Sequence, residues 1–332
     1  MLISVAMATF NGARYLREQL DSIAAQTVRP AELVVGDDGS DDDTHLILNA
    51  FSETAPFPVR RLGREERRGF ADNFLRIAAA CEHPLIAFCD QDDVWLPGKL
   101  ETASRRIEAD GSLLALHRLT TTNDSLEPTG LWTQGIERDA VFEPLELDPY
   151  KNGWGNTMLF RRELVAAIPY DHRPRQPEVP ERPLSHDTWV YVLAAALGRV
   201  SHITEPLVLY RQHGRNAIGV GSSGDAARKR SRAAVSMHLL RERMTFYRHM
   251  ASIFDEIAEC TDETVAGAAR TASRRYTDRY DPIAARMAVY DGPSMVSRLR
   301  AFRNPKNGAA LSVKSRAKDL VFGVSGLHNL LA

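Results

Sequence analysis

Cysteine is scarce in this chain: there are three in 332 residues, Cys81, Cys89 and Cys260. They are odd in number, widely spaced and set among apolar neighbours. That pattern builds no disulfide framework, zinc ligand set or redox pair, so a reducing cytoplasm is expected. Long hydrophobic runs are missing too. The longest apolar candidate, Thr188 to Gly198, is too short to span a bilayer, and a strand follows Met1 directly, so neither a membrane span nor a leader is expected. Net charge is nearly absent, −1 from 42 Lys+Arg against 43 Asp+Glu, which gives no electrostatic footprint for nucleic acid. No Gly-rich, Lys-containing phosphate loop follows the first strand, which argues against a nucleotidyltransferase. Gly219-Val-Gly-Ser-Ser-Gly224 spells a dinucleotide fingerprint but belongs to no βαβ unit, so it reads as a linker, with ordering over a bound ligand a second candidate role.

The composition that is present, 44% hydrophobic and 26% charged, is ordinary for a globular protein, and the length suits two domains. The near-zero charge conceals a split. Residues 225–332 hold 19 Lys+Arg against 11 Asp+Glu (+8), leaving 23 against 32 (−9) in residues 1–224. The basic rear half suits an anionic surface such as the cytoplasmic face of a membrane.

The acidic front half centres on Pro84-Leu-Ile-Ala-Phe-Cys-Asp-Gln-Asp-Asp-Val-Trp95. Leu85 to Cys89 is an apolar run of strand length that stops at Asp90, Asp92 and Asp93. Side chains alternate along an extended chain, so Asp90 and Asp92 share one side. Two such carboxylates make a hard-cation site with open positions, which Mg²⁺ or Mn²⁺ would fill together with phosphate oxygens of a ligand. A new helical segment opens at Lys99, so the acids occupy a strand-to-helix corner, where open α/β sheets bind ligands.

Taken in order, the first ninety residues alternate strand and helix. Strands are expected at 2–8, 32–36, 59–62 and 85–89, with helices at 13–26, 44–50 and 69–81. This is a βαβ pattern, hence an α/β fold with a mostly parallel central sheet flanked by helices. Three strand ends then converge on one edge, carrying Thr9 and Asn11, Asp37 and Asp38, and Asp90 and Asp92. The loop Asp37 to Asp43 mimics a calcium loop, but its twelfth position is Leu48, where a bidentate Glu is needed; Asp41, Asp42 and Asp43 read instead as charges at a helix N-terminus.

Ala8-Thr-Phe-Asn-Gly12, Asp37-Asp-Gly-Ser-Asp-Asp-Asp-Thr44, Arg68-Gly-Phe-Ala-Asp-Asn73 and Asp90-Gln-Asp-Asp-Val-Trp95 together resemble the ordered motifs of family 2 glycosyltransferases with the GT-A fold. The resemblance covers roughly residues 2 to 220. It implies a nucleotide-diphosphate sugar donor, a divalent metal and an inverting transfer. It also implies that Thr9, Asn11 and Asp38 meet nucleobase and ribose, that Gly69 and Asn73 line the nucleoside pocket, and that Asp90 faces ribose and metal. Asp92 becomes the principal metal ligand, and Gln91 joins the donor set. Phe10 stands where the family often has Tyr.

Further along, strands are expected at 113–116, 153–160 and 206–210, a helix at 162–167 and loops at 120–130, 143–154 and the proline-rich 171–184. Glycines beside Trp154 allow close approach to a sugar ring, though a core Trp beside a bulge fits as well; the stretch resembles the family's sugar-facing segment, which makes Trp154, Asn156 and Thr157 sugar-facing candidates. Ser185 is placed to cap the helix 190–197, putting Asp187 in its first turn, where the dipole favours the ionised form. One base is enough for inversion, and Asp187 resembles the family's base position, with a plain N-terminal helix charge as the alternative; His186 beside it is an acceptor-side candidate or a residue that orients the loop. After the next strand, His213 is a candidate third metal ligand, an imidazole that suits Mn²⁺ better than Mg²⁺. Arg211 and Arg215 are candidates for forked hydrogen bonds to a diphosphate. Tyr-Arg-Gln-His-Gly-Arg-Asn is similar to a string in rhamnosyltransferase-like members that build bacterial surface polysaccharides.

From residue 225 the pattern is helical, with stretches at 233–258, 264–280 and 283–290 and a basic amphipathic tail at 311–331, giving a catalytic domain over 1–220 and a helical extension over 225–332. The extension suits an anionic membrane surface or packing against protein, a second copy included. The expected acceptor is a saccharide or lipid-linked hydroxyl, and the expected place is the cytoplasm, peripheral on the inner membrane face. A non-catalytic nucleotide-sugar-binding subunit of the same fold is the alternative; it would be expected to have lost one of Asp92, Asp187 and His213.

Overall fold

A computed structural model describes residues 1–63, 67–147, 153–166, 169–177, 179, 181–214, 232–304 and 319–324. The chain forms two compact units, Met1–Asp171 with Ser185–Ser222, and His172–Leu184 with Ser223–Ala332.

The first unit is a mixed α/β layer structure. Its strands are β1 (Ile3–Thr9), β2 (Glu32–Asp37), β3 (Val59–Arg61), β4 (Leu85–Cys89), β5 (Val94–Trp95), β6 (Leu114–Thr122), β7 (Pro128–Trp132), β8 (Ala140–Phe142), β9 (Met158–Arg161) and β10 (Val200–Arg211). They line up as β3-β2-β1-β4-β9-β6-β10-β5, with β7 and β8 at the margins. The strands β3, β2, β1, β4, β6 and β10 run one way; β9 lies reversed between β4 and β6. The interior strands are buried on both faces, as helix-covered parallel strands must be.

The covering helices follow the expected spacings. In α1 (Leu16–Ala24) the residues Leu16, Leu20 and Ile23 are buried, a stripe of period 3.6. The helices α2 (Thr44–Thr54), α3 (Phe70–Ala80) and α4 (Lys99–Asp110) repeat the pattern; α5 (Glu163–Ala166) is a single turn and α6 (His186–Leu197) is buried nearly throughout. Gly36 of β2 lets α3 approach closely, since a Cβ there would stand 2.7 Å from Ile77.

Several expected boundaries shift. Residues 120–130 are not one loop, because β6 continues to Thr122 and pairs with β7 across a short turn. Residues 153–160 begin with a 3-10 turn, Gly155–Thr157, before β9. The strand expected at 206–210 begins at Val200, since its first half pairs with β6 and β8.

The second unit is helical. A short turn at Thr261–Asp262 returns α8 (Glu263–Asp291) along α7 (Arg232–Cys260), and Asp262 caps α8 by accepting from Thr264 N and Val265 N. The two stretches expected on either side of Pro282 are one helix; a single lost N–H does not break an element held along its length by α7. Phe246, Tyr247, Phe254 and Tyr276 fill the seam between the helices. Next come α9 (Met295–Phe302) and a π-helical turn, Asp319–Val324. Asp319 is buried there, accepting from Arg286 Nε at 2.9 Å, Arg286 Nη2 at 3.0 Å and the Tyr290 hydroxyl at 2.6 Å. The proline-rich stretch groups with this unit and is tied across itself, Arg173 Nε donating to Leu184 O at 2.6 Å. The remainder of the tail 311–331, Arg215 and Gly219 to Gly224 lie outside the described residues.

Candidate active site

The acidic corner forms as its pattern demands. Once β4 ends at Cys89, Asp90 is partly exposed at the sheet edge, and among the described residues no side chain or backbone N–H donates to its carboxylate. Burial, followed by the charges of Asp92 and Asp187, pushes its carboxyl up to about 7, with Lys99 pulling the other way. The two motifs are 95 residues apart, yet they share one electrostatic site. Asp92 Oδ2 faces His213 Nε2 at 2.9 Å, both side chains mostly buried.

Asp187 lies in the first turn of α6. Ser185 occupies the capping position but its hydroxyl donates to Asp187 Oδ1 rather than to the helix backbone. Thr188 N donates to the same oxygen at 2.7 Å. Among the described residues Oδ2 receives no hydrogen bond, so it is available to an incoming hydroxyl.

The strand ends on the far side brace one another. Thr9 donates to Asp37 Oδ2 at 2.7 Å, and Asn11, at φ 48°, donates from its N–H to Ser40 Oγ at 2.8 Å and accepts from Asp41 N at 2.9 Å. Burial raises the Asp37 carboxyl, but hydrogen bonds from Ser40 and Thr9 outweigh it and hold it below its ordinary range. Asp38 accepts from Arg68 N at 2.8 Å and from Gly69 N at 2.9 Å. Gly69 sits at φ 81° with open space where a side chain would be, a backbone position free to approach a ligand. Arg67, absent from the expected set, lays its guanidinium 3.9 Å over the Phe10 ring and 3.8 Å from Asp38.

Other expected ligand residues turn inward. Asn73 is buried and donates to Gly36 O at 2.8 Å, holding α3 to β2. Gln91 makes a two-way clasp with the Phe10 backbone, at 2.9 and 3.0 Å, linking the acidic loop to β1. Thr157 is fully buried, donating to Trp154 O and accepting from Gln134. Trp154 packs among Trp132 and Tyr210, which favours the core alternative. His186 is buried, stacked on Phe74 at 4.2 Å with Phe88 edge-on, so it supports the helix start rather than facing an acceptor. Arg211 is only 2% exposed, and its guanidinium points at protein acceptors instead of outward to a diphosphate. In each case the partner comes from a distant segment that local pattern does not reveal.

Beneath the acids lies a buried network that the motifs did not announce. Lys99 Nζ donates to Asn156 O at 2.6 Å, meets His117 Nε2 at 3.0 Å and stands 4.5 Å over the Trp95 ring. Burial lowers its ammonium to about 7, against the pull of Cys89, Asp93 and Asp90. Asn156 in turn donates to Asp93 Oδ2 at 2.6 Å. Burial, then Asp92 and Asp90, raise Asp93 well above its ordinary range. A signal was present, since a lysine opening a helix opposes the dipole and needs another reason to be there.

Among the described residues no three His, Cys, Asp or Glu side chains close into a metal cage. Of the expected trio, Asp92 and His213 are in direct contact, and Asp90 does not close a three-residue cage with them. The donor chemistry still fits a divalent cation completed by ligand oxygens: carboxylates, one imidazole, and an Asp90 whose carboxylate receives no donor among the described residues.

A solved structure of S. aureus TarS in complex with UDP-GlcNAc superposes with TM-score 0.55 at 17% identity, covering 98% of this chain and 84% of that one. The fold is thus that of the GT-A-type glycosyltransferases. Residues 4–168 match the family model Glycosyl transferase family 2. An uncharacterized glycosyltransferase of Nostoc sp. is 26% identical over 71% of this chain and 73% of its own length. The dTDP-rhamnosyl transferase RfbG of Shigella flexneri is 26% identical over 68% of this chain and 77% of its own. Of an uncharacterized Mycobacterium tuberculosis relative, 26% identical, the chain spans 59%.

Proposed function

We propose that this chain transfers a sugar, rhamnose or another hexose, from a nucleoside-diphosphate donor to a hydroxyl of a glycan or lipid-linked acceptor, with inversion at the anomeric carbon. The observation that supports this reading is that Asp90 at the end of β4 feels the charges of both Asp92 and Asp187, with no hydrogen-bond donor to its carboxylate among the described residues. The RfbG relative, named for dTDP-rhamnose, supports the donor class.

Asp187 Oδ2 takes the proton of the acceptor hydroxyl, while the Ser185 hydroxyl and Thr188 N–H hold Oδ1 and fix the carboxylate's direction. Asp38 and Gly69 present the nucleoside side, and the Phe10 ring supplies an apolar face. Asp92, with His213 and Asp90, would hold Mn²⁺ or Mg²⁺, which when bound would offset negative charge on the departing diphosphate. Contact between Asp92 and His213 supports an enzyme over a degenerate binder. No helix among the described residues is long and apolar enough to cross a membrane. The basic second unit, with Met295, Val296, Leu320 and Val321 exposed, supports peripheral contact with an anionic cytoplasmic bilayer, with self-association as the competing use of that surface.

Incubation with a panel of nucleotide sugars and Mn²⁺, following thermal shift and donor hydrolysis, tests the reading. One donor class is expected to stabilise and be consumed; a panel in which no donor does either contradicts it.

A further inference from the structure

Arg211 ties together several segments around Asp92 and His213. Its Nε donates to Asp92 O at 3.0 Å, and its backbone N to Asp93 Oδ1 at 3.2 Å. One terminal nitrogen donates to Asp124 O, in the turn between β6 and β7, and the other to Glu18 on α1. The guanidinium lies 4.5 Å over the Tyr15 ring, whose hydroxyl donates to the Asp124 carboxylate and whose ring centroid is 4.8 Å from that of His213. Arg211 thus touches the backbone of one candidate metal ligand and the aromatic neighbour of the other. A rigid planar fork suits such a junction, because three separate acceptors fix its orientation. Its charge is balanced from outside: the Arg211 side chain is 2% exposed and Glu18 is 54% exposed.

We infer that Arg211 is a positioning residue that sets Asp92 and His213 opposite each other, and that Glu18 on α1 is its outer anchor, a residue that reaches no ligand itself. The inference rests on the proposed function in taking Asp92 and His213 as metal ligands. A diphosphate-binding arginine would act differently, because Glu18 would then have no part in the site.

The distinction is measurable with Mn²⁺ alone and with UDP in EDTA. Glu18→Ala replaces an exposed helical residue with the best helix former, so the fold is kept. It is expected to weaken Mn²⁺ binding roughly tenfold, the usual scale for groups that support a ligand, while UDP affinity in EDTA stays unchanged. Glu18→Gln, which keeps an acceptor oxygen, should restore part of the loss. Arg211→Lys should lose at least as much, and Glu18→Ala added to it should cost nothing more, since both remove one brace. Unchanged Mn²⁺ affinity in Glu18→Ala overturns the inference, as does a loss of UDP affinity in EDTA for Arg211→Lys with Glu18→Ala silent. If the wild type binds Mn²⁺ but turns over no donor, the proposed function fails while the brace is still read from the Mn²⁺ affinities. A wild type that binds no Mn²⁺ overturns both.

Discussion

Two aspartates in this protein have opposite surroundings. Asp319 in the helical unit is held by Arg286 in a forked pair and by the Tyr290 hydroxyl, so its charge is answered on every side. Asp90 at the sheet edge receives no donor among the described residues and stands near two further carboxylates. A carboxylate whose task is to hold a fold gathers its partners from the chain. One left undonated among like charges is accommodated by holding its proton or by a cation from outside. Asp37 belongs with Asp319 and Asp187 lies between, one oxygen tied and the other open.

That contrast can be broken at either end. The largest effect is expected at Asp187: Asp187→Asn should lower transfer about a thousandfold, within the range of general-base catalysis, while metal-dependent donor binding persists in calorimetry. Turnover at the wild-type rate would remove Asp187 from the chemistry. Asp319→Asn should leave transfer by the remaining folded protein intact but cost roughly 3 kcal/mol of stability, because Arg286 is left without its counter-charge. Denaturant unfolding checks this, and an unshifted midpoint would mean the cluster is not structural.

A smaller, pH-dependent effect is expected at Lys99. Its folded value, about 7, lies below the ordinary 10.5, so between these values the unfolded chain binds a proton that the folded chain does not. Stability therefore rises as pH climbs from about 7 toward 10.5 and is flat below. Subtracting the unfolding free energies of Lys99→Met from those of the wild type should reveal that slope; parallel profiles would mean Lys99 stays charged in the fold.

Legibility in the sequence followed the range of the interactions. The places of Asp90 and Asp92 after a strand end and of Asp187 in a helix first turn were readable because such positions are dictated locally. The first four strands and three helices were readable for the same reason, from periods of two and 3.6 within short windows. Arg211 and His186 were candidates from their types and places, and Asn156 and Thr157 from a resemblance of their stretch, yet each is bound inward by a segment some 20 to 190 positions away. Pro282 misled for a related reason: local chemistry marks a break, and packing along α7 overrides it.

The most direct test is calorimetric titration of UDP and dTDP into wild type and Asp92→Asn, each with Mn²⁺ and with EDTA. The account predicts that at least one nucleotide binds the wild type far more tightly with Mn²⁺, and that Asp92→Asn removes the difference. Equal affinities with and without metal, or an Asp92→Asn protein that retains the full metal effect, would contradict it.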